Sequence, residues 1–307
     1  MAQLLALFND AAIIDMRGEG TSAAELERML RDPLLDLAND VRLWKNEHQQ
    51  LVGFGSLLIA SDSVPVDASL DIVALPLALV PRLEARILRW GEARITTLAQ
   101  EQQVPYLLSL NVRDDDPDYR IWFEDQGYRP LRRFVTMERS LAIPVPAAIF
   151  PASFTWRCID GERDAAAWVE LYNDTFLDHW NHHPLTLERF LYELQAPHYD
   201  PAFDVVALAP GGTMAAFCYG YVDHEENRRA QTNEGWLIVL GTRRGYRKRG
   251  LGQALLRCVL QRMREAGVQT ANLNVDALNE TGAIRLYQTE GFRPVVSRTV
   301  YGKQFGQ

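Results

Sequence analysis

The chain has 307 residues, of which 47% are hydrophobic and 23% are charged, so we expect a packed globular protein long enough for two domains. Its formal net charge of −8 argues against a general binder of nucleic acids or anionic membranes. The sequence lacks the roughly 20-residue apolar run of a membrane span, and its start lacks the charged flank of a signal peptide. Three widely spaced cysteines match no metal-binding pattern, so we expect a cytoplasmic protein without a metal.

The first half of the sequence mixes helical spacing with strand-like alternation of apolar residues. The pattern predicts helices at 4–16 and 23–31, strands at 41–45, 51–60 and 69–79, a helix at 83–100, a strand at 106–112, a helix at 118–126 and a strand at 134–141. Residues 143–153 contain three prolines, which predict an extended linker. We therefore place a boundary there, between domains at 1–142 and 154–307.

The second half repeats the pattern of the first. It predicts a strand at 154–159, helices at 165–174 and 187–194, strands at 204–209, 214–222 and 236–240, a long helix from 251, a strand at 271–275, a helix at 283–290 and a strand at 298–303. Matching segments mark the repeat: Leu-Phe-Asn-Asp at 7–10 and Leu-Tyr-Asn-Asp at 171–174, Leu-Asn-Val at 110–112 and 273–275, Gly-Tyr-Arg-Pro at 127–130 and Gly-Phe-Arg-Pro at 291–294. We predict that both halves share one α/β fold and that the first lacks a counterpart of the 154–159 strand.

A loop rich in glycine and basic residues joins a predicted strand to the helix that begins at Leu251. It contains Gly241, Gly245 and Gly250, with five Arg or Lys residues between 243 and 249. Glycines let backbone N–H groups converge on an anion, the helix N-terminus adds unpaired donors, and basic side chains add charge, so the loop is typical of a phosphate site. It lacks the Gly-Lys-Ser/Thr ending of a nucleotide triphosphatase loop. The alternative is a solvated basic turn ahead of an ordinary helix.

Two motifs resemble those of the GCN5-related N-acetyltransferase (GNAT) superfamily. The spacing Arg247-x-x-Gly250-x-Gly252 is similar to the superfamily's pyrophosphate loop, which binds coenzyme A. Its Asn-x-x-(Gly/Ala)-Ala-x-x-Leu-Tyr-x-x-x-Gly-Phe motif is matched at Asn279, Ala283, Leu286, Tyr287, Gly291 and Phe292. The resemblance covers about 154–303 well and 1–141 as a degenerate copy. It implies an α/β (α+β) protein of two tandem GNAT folds, each a mixed, mostly antiparallel twisted sheet flanked by helices, and the two-domain plan is similar to mycothiol synthase.

The resemblance implies an acetyl-CoA-dependent N-acetyltransferase in which an amine attacks the thioester directly. The implied cofactor-binding residues are Val239, Leu240, Thr242, Arg247, Lys248, Arg249, Gly250, Leu251, Gly252, Gln253 and Asn279. The Val239–Leu240 backbone is the expected donor to the thioester carbonyl, on a strand that separates from its neighbour. Tyr287 is the implied acid for the leaving thiolate, and Glu234 is the implied base, acting through a water. As alternatives, Tyr287 belongs to a helix packing face, Glu234 is a solvated carboxylate and Asn279 is a plain N-cap.

An aromatic, ionisable loop at 178–183 corresponds to the segment that lines the acceptor pocket in the superfamily. The candidate substrate-binding residues are Asp178, His179, Trp180, Tyr219 and Tyr221. The two tyrosines share one face of their strand, although a core-facing orientation fits the same pattern. The three histidines of the loop lack a convincing fourth ligand, which argues against a metal site.

The first half lacks the features that would bind coenzyme A. Its counterpart of the basic loop has no glycine in the turn, and Pro81 removes a donor. Phe123 stands where the second half has Tyr287. We predict that only the second half binds acetyl-CoA and acetylates a primary amine of a small molecule, and that two internal copies are consistent with a monomer. A cysteinyl amine, a polypeptide amine and a non-catalytic acyl-CoA sensor are the alternatives.

Overall fold

The computed structural model describes residues 1–15, 20–60, 63–75, 83–177, 180, 183–279 and 282–306. Contacts divide the chain into two compact units. Unit 1 comprises Met1–Phe134 with Ser297–Gln307, and unit 2 comprises Val135–Val296. The predicted domains at 1–142 and 154–307 follow the sequence repeat, whereas these units follow packing. Each unit therefore includes a strand segment from the other half of the sequence.

Helices and strands are interspersed along the described residues. In order they are α1 (Ala2–Asp15), α2 (Ala23–Leu30), β1 (Val41–Lys45), β2 (Leu51–Ala60), β3 (Val66–Ala74), α3 (Leu83–Gln102), β4 (Tyr106–Arg113), α4 (Pro117–Asp125), β5 (Arg129–Ser140), β6 (Thr155–Cys158), α5 (Gly161–Phe176), α6 (Leu187–Glu193), β7 (Asp204–Leu208), β8 (Met214–Tyr221), α7 (His224–Ala230), β9 (Glu234–Thr242), α8 (Leu251–Glu265), β10 (Thr270–Asp276), α9 (Ala283–Thr289) and β11 (Arg293–Phe305). Strands β1 and β2 have the predicted bounds, every other predicted helix and strand has a counterpart with shifted ends, and α7 was not predicted. Residues 76–79 of the third predicted strand lie outside the described residues.

Unit 1 is a sheet in the order β1-β2-β3-β4, continued by residues 297–305 of β11. The β3–β4 pair is parallel, and the other pairs are antiparallel. Helix α3 buries Ile87, Leu88 and Ile95, whose helical spacing forms the face that packs on the sheet. No described strand lies beside β1 in the position that β6 takes beside β7 in unit 2.

Unit 2 is a sheet in which residues 135–140 of β5 are followed by β10-β9-β8-β7-β6. Strands β9 and β10 are parallel, and the pairs from β9 to β6 are antiparallel. Helix α8 packs on one face of this sheet through Leu255, Val259 and Met263. Helices α5 and α6 cover the other face, where Trp168 and Phe190 pack together. The two faces therefore have separate cores, and the ends of the central strands lie between them.

The proline-rich segment predicted as a linker runs along helix α8 in unit 2. The carbonyl oxygen of Pro146 accepts a hydrogen bond from Gln261 Nε2 at 3.0 Å, and that of Ala147 accepts one from Arg257 Nη1 at 3.3 Å. The Val145 side chain is buried. Residues 144–151 form neither helix nor strand, and the segment packs as part of the unit. Among the described residues no helix combines the length and apolarity needed to cross a bilayer.

Candidate active site

The loop between β9 and α8 offers a row of unpaired backbone donors. Within the described part of the chain, the amides of residues 248–253 donate to no acceptor, and the first helical bond runs from the Ala254 amide to the Gly250 carbonyl at 3.0 Å. Lys248 and Gly250 have left-handed backbones, with φ of 61° and 82°. That conformation turns successive N–H groups toward one side, and the helix N-terminus adds its own donors. The loop therefore forms a concave set of donors, which we call the amide cradle (residues 248–253).

Several basic side chains of this loop are used to hold the loop itself. Arg247 donates from Nε to the Thr242 carbonyl at 3.0 Å and from Nη2 to the Thr175 carbonyl at 3.1 Å. Arg249 donates to the Gly245 carbonyl at 3.2 Å, and its guanidinium lies over the Tyr246 ring. These bonds fix the start of the loop against β9 and α5, so Arg247 stabilises the shape of the cradle.

Two further cations of the loop differ in their surroundings. Arg243 pairs with two carboxylates of α5, Asp174 at 2.6 Å and Glu170 at 3.0 Å. Lys248 is exposed and forms no ion pair with a described residue. Of these two side chains, Lys248 is the one that can meet an anion in the cradle without breaking an existing bond.

Strands β9 and β10 separate at the side of the sheet where the cradle lies. Their parallel register begins at Glu234 with Thr270 and ends at Leu237 with Leu273, although both strands continue. The register of β9 with β8 shifts at this point, which leaves Ile238 as an exposed extra residue. Val239 and Leu240, the predicted thioester contacts, follow in the separated part. The gap between the strands is thus a place where a ligand can reach strand N–H groups from the side.

Tyr287 lies on α9, which follows β10. It packs against the core that includes α8, and its ring contacts that of Phe292 with centroids 5.8 Å apart. Burial raises the pKa of the Tyr287 hydroxyl, and the neighbouring Cys218 thiol raises it further. Cys218 is paired with Leu240 across β8 and β9, so the hydroxyl belongs to the neighbourhood of the separated strands. A phenol that keeps its proton at neutral pH can serve as a hydrogen-bond or proton donor.

Glu234 is the first residue of β9 and is half-buried, so the alternative of a solvated loop carboxylate is wrong. Its Oε2 accepts a hydrogen bond from Asn272 Nδ2 on β10 at 2.9 Å. The Glu234 backbone N–H donates to Asn227 Oδ1 at 2.9 Å, and the Glu234 carbonyl accepts from Asn227 Nδ2 at 2.8 Å. Asn227 lies on α7, and neither asparagine was recognised from the sequence, since a lone asparagine carries no pattern that reveals a distant partner.

The aromatic candidates lie on the face of the sheet that α5 and α6 cover. Gly235 and Leu237 face α8, so Glu234 and Trp236 point to the opposite face by strand alternation. On β8, Phe217 packs against Trp168 of α5.

The same alternation places Tyr219 and Tyr221 on that face, where both are half-buried. The Tyr221 ring contacts that of His198 at 4.1 Å, and the Tyr219 ring contacts that of Tyr199 at 5.6 Å. Trp236, His198 and Tyr199 extend the predicted set, and the sequence missed them because their shared face depends on the strand pairing.

The remaining predicted residues are only partly placed. Asp178 and His179 lie outside the described residues, and Trp180 is half-buried. Asn279 follows β10, where its N–H donates to the Asp276 carbonyl at 3.1 Å. The N-cap of α9 is Gly282, so the plain N-cap alternative for Asn279 is wrong.

Comparison with known proteins agrees with this geometry. Residues 165–292 match the family described as the Acetyltransferase (GNAT) family. The matched segment spans less than half of the chain and lies within unit 2. A curated relative, mycothiol acetyltransferase of Thermobispora bispora, is 34% identical over 166 residues, which are 54% of this chain and 55% of that protein. The chain therefore matches only about half the length of this relative.

Solved structures extend the likeness over the whole chain. A GCN5-related N-acetyltransferase from Sphaerobacter thermophilus has a TM-score of 0.77 and 25% identity, covering 99% of this chain and 92% of that one. A tandem GNAT protein from the clavulanic acid biosynthesis pathway has a TM-score of 0.76 at 15% identity, covering 100% and 95%. The resemblance to the GNAT family and the fold predicted from the sequence are confirmed.

Proposed function

We propose that unit 2 is an acetyl-CoA-dependent N-acetyltransferase that acts on a primary amine of a small molecule. The observation that carries the proposal is the amide cradle, a row of six backbone donors at the start of α8 that have no acceptor among the described residues. A diphosphate satisfies such a row, because its oxygens accept from several amides while the helix N-terminus and Lys248 favour its negative charge. Coenzyme A carries a diphosphate of this kind.

The separated strands orient the reacting end of the proposed ligand. Bound in the cradle, acetyl-CoA supplies an activated acyl carbonyl, and its arm follows the gap between β9 and β10. The Val239–Leu240 segment offers backbone N–H groups there, which stabilise negative charge on the carbonyl oxygen as an amine attacks. Removal of one such donor typically costs about 3 kcal/mol of transition-state stabilisation.

Two side chains handle the protons of the reaction. Tyr287 keeps its hydroxyl proton in the buried site and gives it to the departing thiolate. Glu234, held by Asn272, accepts a proton from the attacking amine through a water. The carboxylate lies near the start of β9 and the thioester contacts lie further along the strand, so a water is needed between them.

The acceptor lies on the α5–α6 face beside Tyr219, Tyr221 and Trp236. These rings offer apolar surface with hydroxyl and indole N–H groups at the edges, which suits a small polar molecule better than an alkyl amine. Several relatives bear the name mycothiol acetyltransferase, which suggests the cysteinyl amine of a thiol precursor as the first acceptor to try.

The experiment is release of free thiol from acetyl-CoA in the presence of a panel of amines, with the wild type and Tyr287→Phe compared. The panel contains a cysteinyl amine, a polyamine, an aminoglycoside and a peptide with a free N-terminus. Turnover with a small amine that falls in the variant supports the proposal. Tight binding of acetyl-CoA without turnover on any amine would identify a sensor, and preference for the peptide would identify a polypeptide acetyltransferase.

A further inference from the structure

A buried carboxylate joins the two helices on which the proposed reaction depends. Glu290 caps the C-terminal end of α9, and its side chain is 1% exposed. Its Oε1 accepts from Gln253 Nε2 at 2.6 Å and from Arg257 Nη2 at 2.8 Å, and its Oε2 accepts from Arg257 Nε at 3.0 Å. Gln253 is the last residue of the amide cradle, and Arg257 lies one turn further along α8. Three hydrogen bonds therefore tie the end of α9 to the start of α8.

The charges around Glu290 make this link strong. Burial opposes ionisation of the carboxyl, but the hydrogen bonds from Arg257 and Gln253 outweigh it and lower the Glu290 pKa below its usual range. Arg139 of β5, itself buried, adds a second positive charge nearby. The side chain is thus a carboxylate at neutral pH. Bidentate, charge-assisted bonds from an arginine also fix geometry more tightly than neutral bonds do.

Apart from this link, helix α9 is held by apolar contacts of Ala283, Ile284, Leu286 and Tyr287 with the core. It has only seven residues, none of them fully buried, and its N-cap Gly282 provides no side-chain cap. Tyr287 lies one turn before Glu290 in the same helix. The backbone continues this connection, since the Glu290 N–H bonds the Leu286 carbonyl at 3.0 Å. A shift of Glu290 against α8 would therefore move the tyrosine.

Unit 1 shows the same position without the link. If the helices are aligned at their first residues, Leu83 and Leu251, Arg257 corresponds to Arg89. The repeat at 127–130 and 291–294 places Gln126 where unit 2 has Glu290. Arg89 donates to the Ala85 carbonyl of its own helix at 3.2 Å. The arginine is present in both units, but the carboxylate accompanies only the helix that carries the tyrosine.

We infer that Glu290 is a positioning residue, which sets the Tyr287 hydroxyl at a fixed distance from the amide cradle and hence from the thioester held there. The inference rests on the proposed function. It predicts that Glu290 matters for turnover because of Tyr287, and it separates this role from a general contribution to stability.

The test is a double-mutant cycle on the full chain, with Glu290→Gln, Tyr287→Phe and the two combined. Glu290→Gln keeps the shape of the side chain but removes its charge and offers a donor to Arg257. We expect it to lower kcat about 10-fold when Tyr287 is present and less than about 2-fold in the Tyr287→Phe background, since coupled residues are non-additive. The KM for acetyl-CoA should change less than kcat. An equal loss of kcat in both backgrounds would overturn the inference.

Two further variants keep the result interpretable. If Glu290→Gln does not fold, Arg257→Gln tests the same link, because Arg139 still compensates the buried carboxylate. Asp164→Asn is a matched control, since it breaks an ion pair with Arg157 between α5 and β6. Its effect should be equal in both backgrounds. If Tyr287→Phe lowers kcat and the cycle is additive, only the positioning role of Glu290 is rejected. If Tyr287→Phe leaves kcat unchanged, both this role and the proposed chemistry are rejected.

Discussion

The two units open their sheets in the same way, but the described residues around the two openings differ. In unit 1 the parallel pair β3–β4 ends its register at Ser69 with Ser109, just as β9–β10 ends at Leu237 with Leu273. The opening is therefore a property of the fold. Because both units show it, the opening does not by itself indicate a site.

The aromatic contacts and the strand registers of the two units show this difference. In unit 1, Phe123 is 1% exposed and packs edge-on against Tyr119 and Trp122, with centroids 4.8 and 4.6 Å from its own. The register of β2 with β3 has no shift, whereas that of β8 with β9 does. Unit 1 therefore has a buried aromatic ring without a hydroxyl at the position of Tyr287. Unit 2 has a bulge in β9, a tyrosine and the amide cradle, whereas the corresponding loop of unit 1 includes residues 76–82, which lie outside the described residues.

The largest expected effect comes from a substitution that gives the first turn of α8 the acidic residue found in the first turn of α3. Glu84 of α3 corresponds to Gly252 of α8, so Gly252→Glu places a carboxylate in the cradle. Repulsion of the diphosphate should raise the Kd for acetyl-CoA by about 100-fold or more, although an acidic residue in the first turn of a helix stabilises the fold. Calorimetric titration measures the Kd, and a thermal melt checks the fold.

Gly245→Glu is the matched control for this variant, because Gly245 lies in the same loop outside the cradle and has open space around it. Its effect on the Kd should be at least 10-fold smaller, as expected for a screened charge. Equal weakening by both variants would mean that net charge, rather than the cradle, governs binding.

Exchange of the two aromatic residues is the next test. Tyr287→Phe should lower kcat about 100-fold, in the range of general acid catalysis, with a small change in KM. The reverse exchange, Phe123→Tyr, should leave turnover unchanged and destabilise unit 1 by about 1–3 kcal/mol, because it buries a hydroxyl without a partner. Steady-state kinetics and urea unfolding measure the two effects. Activity gained through Phe123→Tyr would contradict the assignment of unit 1 as inactive.

A buried aspartate in each unit gives a contrast in stability. Asp204 is fully buried and accepts from neutral donors, Trp168 Nε1 at 3.1 Å and Tyr199 Oη at 3.4 Å, whereas Asp40 of unit 1 pairs with Arg94 at 2.7 Å. Burial raises the pKa of Asp204 to about 7. The folded protein therefore keeps a proton that the unfolded chain loses near pH 4, and stability from this group falls as pH rises from 4 to 7.

Asp204→Asn should remove this loss, so that the variant is about 4 kcal/mol more stable than the wild type at pH 8 and nearly equal to it at pH 4. Asp40→Asn should instead destabilise, because it leaves Arg94 without its carboxylate. Urea unfolding at the two pH values measures both. If the free energies of unfolding of Asp204→Asn and the wild type differ by the same amount at pH 4 and pH 8, the pKa of Asp204 is not raised in the folded protein.

The smallest effect is expected for Glu234, the proposed general base. Glu234→Gln keeps the bond to Asn272 and removes the proton acceptor, and we expect kcat to fall about 10-fold, since a water can still accept a proton less efficiently. The loss should shrink as pH rises, because the amine then deprotonates in solution. A loss that is independent of pH would instead favour a positioning role for Glu234 beside β10.

Most of the fold follows from patterns that are local in sequence. The helical spacing of α8 and the alternation of β8 predicted their ends to within a residue or two. Helix α7 was missed because its sequence, His-Glu-Glu-Asn-Arg-Arg-Ala, has no apolar face, and it is fixed by the Asp223 cap and by bonds from Asn227. Strand β11 is longer than predicted, and at its C-terminal end Gln304 and Phe305 continue the pairing with β4.

The candidate site likewise has residues that local sequence patterns predict and contacts that they do not predict. Tyr287 and the glycine–basic loop were visible because motif spacing places them. The bonds of Arg247 to two carbonyls and the link through Glu290 were not, because each joins residues that lie far apart in the sequence. A basic residue in a loop predicts charge, but only the tertiary structure shows whether that charge faces a ligand or the protein.

A crystal structure of the full chain grown with acetyl-CoA tests the central claim most directly. The account predicts diphosphate oxygens about 2.7–3.2 Å from the amides of residues 248–253, with the thioester between β9 and β10 beyond Leu237. A ligand bound in unit 1, or a diphosphate held by side chains with the cradle amides unused, would contradict it.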